Sequence, residues 1–200
     1  MFDRHARRLI DPPLNRLGRA MAARGWTANG VSLLGLALGL IAAVCVALGA
    51  PTLALVPLLA SRMADGLDGA VARATVRTDF GGYLDIACDF AFYAVIPLSF
   101  VFLDADNGLA ASFVLASFYV NGTSFLGYAV LAEKRGLSTQ AQGVKSLYYS
   151  NGLLEGTETI VYFVLLCLFP MAFAPLSWVF GGLCFLTATL RIHGASKLFT

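Results

Sequence analysis

Residues 65–90 read DGLDGAVARATVRTDFGGYLDIACDF. Apolar sequence surrounds them: Asn29 to Ser61 carries no charge, and after Asp89 none occurs until Asp104. The stretch holds Asp65, Asp68, Asp79, Asp85 and Asp89, out of 12 acidic residues in the chain. Asp65 and Asp68 are spaced i,i+3, and Asp85 and Asp89 i,i+4, so each pair shares one face of a helix. A carboxylate in a membrane helix costs roughly 2.5–3.5 kcal/mol on insertion scales. Four together also repel one another. Something must compensate them.

The surroundings are those of a membrane protein. The chain has 200 residues, 58% of them hydrophobic and 13% charged, with a mean hydropathy of +0.74. A soluble domain carries about twice that share of charge. The size fits one domain over 1–200. Residues 1–29 form a juxtamembrane segment and 30–192 a bundle. The uncharged runs Asn29–Ser61 and Thr159–Leu190 are each too long for one span of ~20 residues and read as two. Six spans result: Val31–Ala50, a second from Pro51, Gly81–Leu103, Gly108–Ala132, Asn151–Phe169 and Phe173–Leu190. With six spans, all 14 Lys and Arg fall on one side, and the other carries Asp104 and Asp106. The positive-inside rule then puts both termini in the cytoplasm. In 1–25, Leu14, Leu17 and Met21 lie at helical spacing among arginines, which predicts an interfacial amphipathic helix starting near Pro12 and Pro13. The expected fold is all-α and polytopic: six transmembrane helices behind an amphipathic one.

The basic residues are distributed by this topology, and a net charge of +2 gives no sign of a nucleic-acid partner. Cys45, Cys88, Cys167 and Cys184 lie in apolar runs without Cys-x-x-Cys spacing and read as buried hydrophobes. His5 and His193 read as surface residues.

Depth along the helices sharpens the reading of the carboxylates. Pro51 to Ala64 is too short to cross a ~30 Å core at ~1.5 Å per residue. The second helix must therefore continue past Asp65 and Asp68. Asp65 lies about 21 Å from the outer end at Pro51. Asp89 lies equally far from Asp104 on the antiparallel third helix. All four carboxylates should meet just inside the cytoplasmic leaflet. Clustered carboxylate oxygens suit Mg²⁺ or Mn²⁺, and Mg²⁺ often also takes substrate phosphate oxygens. The alternative is an ion-pair network with Arg62, Arg73 and Arg77. Gly66, Gly69, Gly81 and Gly82 beside the acids suit a groove where a ligand reaches the backbone.

The stretch resembles the signature of the CDP-alcohol phosphotransferase (CDP-alcohol phosphatidyltransferase) family. Asp65, Asp68-Gly69 and Ala72-Arg73 form its first half, and Gly81, Asp85 and Asp89 its second. Ala74 to Phe80 is one residue shorter than the family's spacing, a difference that falls between two helices. Thr27-Ala28-Asn29 is similar to the Thr-Pro-Asn that often precedes the family's first helix. The six-span layout with cytoplasmic termini agrees as well.

The resemblance implies a reaction. An alcohol attacks the β-phosphorus of a CDP-alcohol, usually CDP-diacylglycerol, and CMP leaves. It also implies two divalent ions on Asp65, Asp68, Asp85 and Asp89, with Asp89 as general base. Gly69 and Arg73 would line the CDP site, with Asn29 and Ser32 near the nucleotide; Asn29 could equally be an ordinary helix cap. Location in the inner membrane and a homodimer through the membrane helices follow from the same resemblance; Gly122 and Gly127 are small residues without a decisive interface.

Other polar residues reach the same level. Glu155 and Glu158 are i,i+3, and Glu155 stands 15 residues before Pro170. Arg191 ends the sixth helix at a similar depth. Glu155, Glu158, Lys145 and Arg191 are the candidates for binding the acceptor alcohol, or form a structural Glu–Arg pair. Few basic residues lie near the site, which argues weakly against a sugar-phosphate acceptor. Three other functions compete: a transferase using a soluble CDP-alcohol and a lipid acceptor, a cation transporter, and a non-catalytic membrane scaffold. Transport favours charges spread through the depth and inverted repeats, and the sequence has neither.

Overall fold

A computed structural model describes residues 3–136, 154 and 156–199, with side chains from residue 12 onward. The described residues form helices and no strand. In order these are α1 (Asp3–Ala23), α2 (Ala28–Ala47), α3 (Pro51–Ala74), α4 (Asp79–Leu103), α5 (Gly108–Lys134), α6 (Gly156–Leu168) and α7 (Phe173–Leu198), with short 3-10 turns before α5 and α7. The architecture is all-α and polytopic, as expected. Four segments meet the length and hydropathy of a membrane span: α2, α4, and α5 and α7 with their preceding turns. The 24-residue α3 is long enough to cross at ~1.5 Å per residue, but Arg62, Asp65, Asp68 and Arg73 lower its hydropathy. The described part of the fifth span, α6, has 13 residues.

Local chemistry sets the helix ends. The Thr27 hydroxyl accepts from Gly30 N at 3.1 Å and caps α2. Thr27 rather than Asn29 is thus the cap, and Asn29 stands inside the first turn. At the other end Gly49 has φ +84°, a left-handed conformation that glycine adopts without strain. Ala50 N then donates to Cys45 O, closing the carbonyl end of α2. Pro51 follows at the start of α3, where its missing N–H costs nothing. Thr78 caps α4 by accepting from Gly81 N at 3.0 Å. The shortened connection is therefore only Thr75–Thr78, and α4 begins two residues earlier than the sequence suggested.

α2 is the central helix of the first half. It packs on both α3 and α4, while α5 packs on α7. Two apolar clusters hold the bundle. The larger joins Leu58, Phe92, Ile96, Phe100, Val114, Phe163, Leu166 and Phe173. The smaller joins Val31, Ala64, Leu67 and Val71 with Leu14 and Met21 of α1. Along α3, Asp65 and Asp68 interleave with Ala64, Leu67 and Val71 of the smaller cluster.

α1 differs from the expected interfacial helix in two details. It runs through Pro12 and Pro13 instead of starting there. Leu17 is 44% exposed, and Gly18 makes the close approach in its place. A Cβ on Gly18 would stand 2.7 Å from the Ala70 side chain. The missing side chain lets α1 lie directly on the C-terminal half of α3.

Candidate active site

α3 and α4 face each other across the carboxylates, with α2 packed behind both. One carboxylate oxygen from each of Asp65, Asp68 and Asp85 lies within 4.8 Å of the other two. An ion with ~2.1 Å bonds joins oxygens up to about 4.2 Å apart. Small side-chain shifts would bring all three onto one ion, so the donor set fits Mg²⁺ or Mn²⁺. Asp68 is 6% exposed and accepts from the Ser32 hydroxyl at 2.5 Å through Oδ2. A buried carboxylate needs such a donor, and the bond fixes which way Asp68 points.

Asp89 lies outside this group of three, next to Asp65. Its Oδ1 accepts from Arg62 Nη1 at 2.7 Å, and Asp65 Oδ1 lies 3.7 Å from the same nitrogen. The shared depth expected for Asp65 and Asp89 is thus observed. The Arg62 side chain is 8% exposed. Its guanidinium lies 3.7 Å above the centre of the Phe92 ring, a cation–π contact. Arg62 Nη2 donates to the Ser61 hydroxyl at 3.1 Å, and that hydroxyl donates to Gly35 O at 2.7 Å.

The CDP-alcohol phosphatidyltransferase family model matches residues 26–190. The chain belongs to the CDP-alcohol phosphatidyltransferase family. Two relatives are similar to it. Inner membrane protein YnjF of Escherichia coli (strain K12) is 45% identical over 193 residues, covering 96% of this chain and 94% of the relative. Archaetidylinositol phosphate synthase of Pyrococcus horikoshii is 37% identical over 81 residues, 40% of this chain and 43% of the relative. Membership makes the chain a transferase of the type that uses CDP-alcohol donors and alcohol acceptors in membranes.

The structure places the remaining residues of the expected site as follows. Arg73 is exposed, and its Nε and Nη2 donate to Asn15 Oδ1 of α1 at 3.1 and 2.9 Å. A Cβ on Gly69 would stand 3.3 Å from Arg73 Nη1, so the two flank one spot. Asn29 is half-buried, and its Oδ1 faces Gly81, where an added Cβ would come to 3.2 Å. Ser32 is buried on Asp68. The expected ion-pair alternative holds for Arg62 alone, because Arg73 turns to α1. It meets Asp89 and Asp65 and does not account for Asp68 or Asp85.

Of the acceptor candidates, Lys145 and Glu155 lie outside the described residues. Glu158 is in the first turn of α6 and lines an apolar cavity of about 470 Å³ with Thr157, Val161, Leu176 and Val179. Arg191 donates through Nη1 to Asn121 O, Asn121 Oδ1 and the Ser124 hydroxyl, at 3.0, 2.7 and 2.7 Å. These bonds tie α7 to α5. Gly122 packs within the chain, under the Phe90 ring. The sequence reading passed over Phe92, Ser61 and Asn15. Arg62–Asp65 and Asp89–Phe92 are both i,i+3 pairs, a spacing that could have pointed to the clamp.

Proposed function

We propose that this protein transfers a phosphatidyl group from CDP-diacylglycerol to an alcohol, releasing CMP, in phospholipid biosynthesis. The observation that carries the reading is the convergence of Asp65, Asp68 and Asp85 from two helices, with Asp89 beside them. Two bound divalent ions, Mg²⁺ or Mn²⁺, would neutralise the pyrophosphate and stabilise the leaving phosphate.

The chain's own residues supply the rest. Ser32 holds Asp68 in position to ligate. Gly69 leaves room beside Arg73, whose guanidinium suits a phosphate or the nucleotide. Asp89 takes the proton of the acceptor hydroxyl. The hydroxyl oxygen then bonds to the β-phosphorus, the bond from that phosphorus to the CMP oxygen breaks, and CMP leaves with the electron pair. Asn29 borders the same opening from α2.

The depth of the carboxylates supports a lipid donor. Asp65 lies about 21 Å along α3 from Pro51, just below headgroup level in a ~30 Å core, on the side where the arginines collect. A lipid's pyrophosphate reaches that level while its acyl chains stay in the bilayer. The E. coli relative is named as an inner membrane protein, and we place this chain in the same membrane with its site and termini cytoplasmic. The archaeal relative is named for making archaetidylinositol phosphate, which supports lipid-phosphate transfer as the class.

The test is CMP release by protein in lipid nanodiscs, given CDP-diacylglycerol, Mn²⁺ or Mg²⁺ and a panel of alcohols. Metal-dependent release with one acceptor, lowered about 10²-fold or more in Asp89→Asn, is expected. Release from soluble CDP-alcohols alone would overturn the choice of donor.

A further inference from the structure

Arg62 takes no part in the reaction as set out above, yet its guanidinium is nearly as enclosed as the Asp68 carboxylate. Its side chain is 8% exposed, and its Nε is buried without a hydrogen-bond partner. Burying a guanidinium is costly unless it is well paired. Three features hold it there. Phe92, itself 0% exposed, supports its face. Ser61 fixes one edge, and Asp89 and Asp65 take the other. Gly39 completes the support, since a Cβ there would come 2.5 Å from the Phe92 ring. Arg62 is therefore built in, one turn deeper than Asp65.

The consequence concerns charge. Asp65, Asp68 and Asp85 form the group whose oxygens small side-chain shifts would bring onto one ion. Asp89, the fourth, gives an oxygen to Arg62 instead. A second divalent ion on Asp89 would have to displace the guanidinium or sit beside it against repulsion between like charges. We propose that Arg62 is a positioning residue, a resident cation that satisfies Asp89 and sets the resting protein to one tightly bound divalent ion. The second ion binds well only when a substrate pyrophosphate brings negative charge of its own. This rests on the metal-dependent reading above.

The test titrates full-length protein in nanodiscs with Mn²⁺ alone, no nucleotide present, following free Mn²⁺ by electron paramagnetic resonance. The wild type should bind one ion tightly and a second at least about tenfold more weakly, equivalent to about 1.4 kcal/mol. Arg62→Met, similar in length and uncharged, should close most of that gap. Arg62→Lys should keep it. Two equally tight ions in the wild type would overturn the proposal, and so would an unchanged gap in Arg62→Met. If Arg62→Met does not fold, the wild-type titration decides alone. No Mn²⁺ binding at all would instead sink the metal reading, so the two failures are distinguishable.

Discussion

Asp68 and Asp89 lie on opposite walls of the same site and end on different kinds of neighbour. Asp68 accepts from a hydroxyl, Ser32. Asp89 accepts from a guanidinium, Arg62. A hydroxyl orients a carboxylate and leaves its charge unmatched. A guanidinium orients it and matches its charge. One wall is thus prepared for a cation from outside, and the other already has its own. Arg73 and Arg77 stand in the same stretch of sequence but are exposed, so nearness in sequence does not decide which arginine serves the acids. Depth does.

The largest effect should separate these two walls. Asp68→Asn removes a ligand from the three-carboxylate group and should lower CMP release on the order of 10³-fold or more, the scale of a lost charge-stabilising group. It should also abolish tight Mn²⁺ binding. Asp89→Asn should lower turnover yet keep the tight Mn²⁺ site, because its oxygen belongs to Arg62. Equal loss of Mn²⁺ in the two variants would erase the distinction between the walls.

Much of this arrangement is legible in the sequence, for physical reasons. Charge-free run lengths fix the helices, since a bilayer sets how long a span must be. The short apolar part of α3 forces that helix past Asp65, and its counterpart on α4 brings Asp89 to the same depth. What escapes is choice among partners. Arg62, Arg73 and Arg77 are equivalent as symbols, and only packing shows that Arg62 rests on Phe92 while Arg73 reaches Asn15. Ser32 illustrates the same limit. Its place near the site followed from the family resemblance, but its bond to Asp68 depends on how α2 rotates against α3. Gly39 and Gly18 give no signal, because room for a missing side chain exists only once the neighbouring helix is in place. Asn29 was open between cap and site residue, and the cap went to Thr27.

A smaller effect should follow from Ser32→Ala. The donor to Asp68 disappears and the carboxylate is freer to rotate. Loss of such a supporting bond typically costs about 10–100-fold in metal affinity or activity. The lower end, about tenfold in Mn²⁺ affinity, is expected because Asp65 and Asp85 keep their places. Calorimetry in nanodiscs reads it directly. If Ser32 contacts the nucleotide instead, Mn²⁺ affinity will hold and only the Michaelis constant for the CDP donor will rise.

The smallest effect concerns the α1 contact with the site. Arg73 donates two bonds to Asn15 Oδ1 at an exposed position, where a hydrogen bond contributes about 0.5 kcal/mol, the low end of its range. Asn15→Ala frees the guanidinium without removing it. The Michaelis constant for the CDP donor should rise about two- to threefold, the equivalent of that energy, with turnover and Mn²⁺ binding unchanged. α1 itself should stay docked, because Gly18 still lies on Ala70 and Leu14 and Met21 on the smaller cluster. Gly18→Val provides the contrast. Its side chain would collide with Ala70, lift α1 from α3, and move Arg73 together with the helix that holds it. If Asn15→Ala leaves donor affinity untouched while Gly18→Val lowers it, then α1 acts by covering α3, and its bond to Arg73 contributes nothing to donor binding.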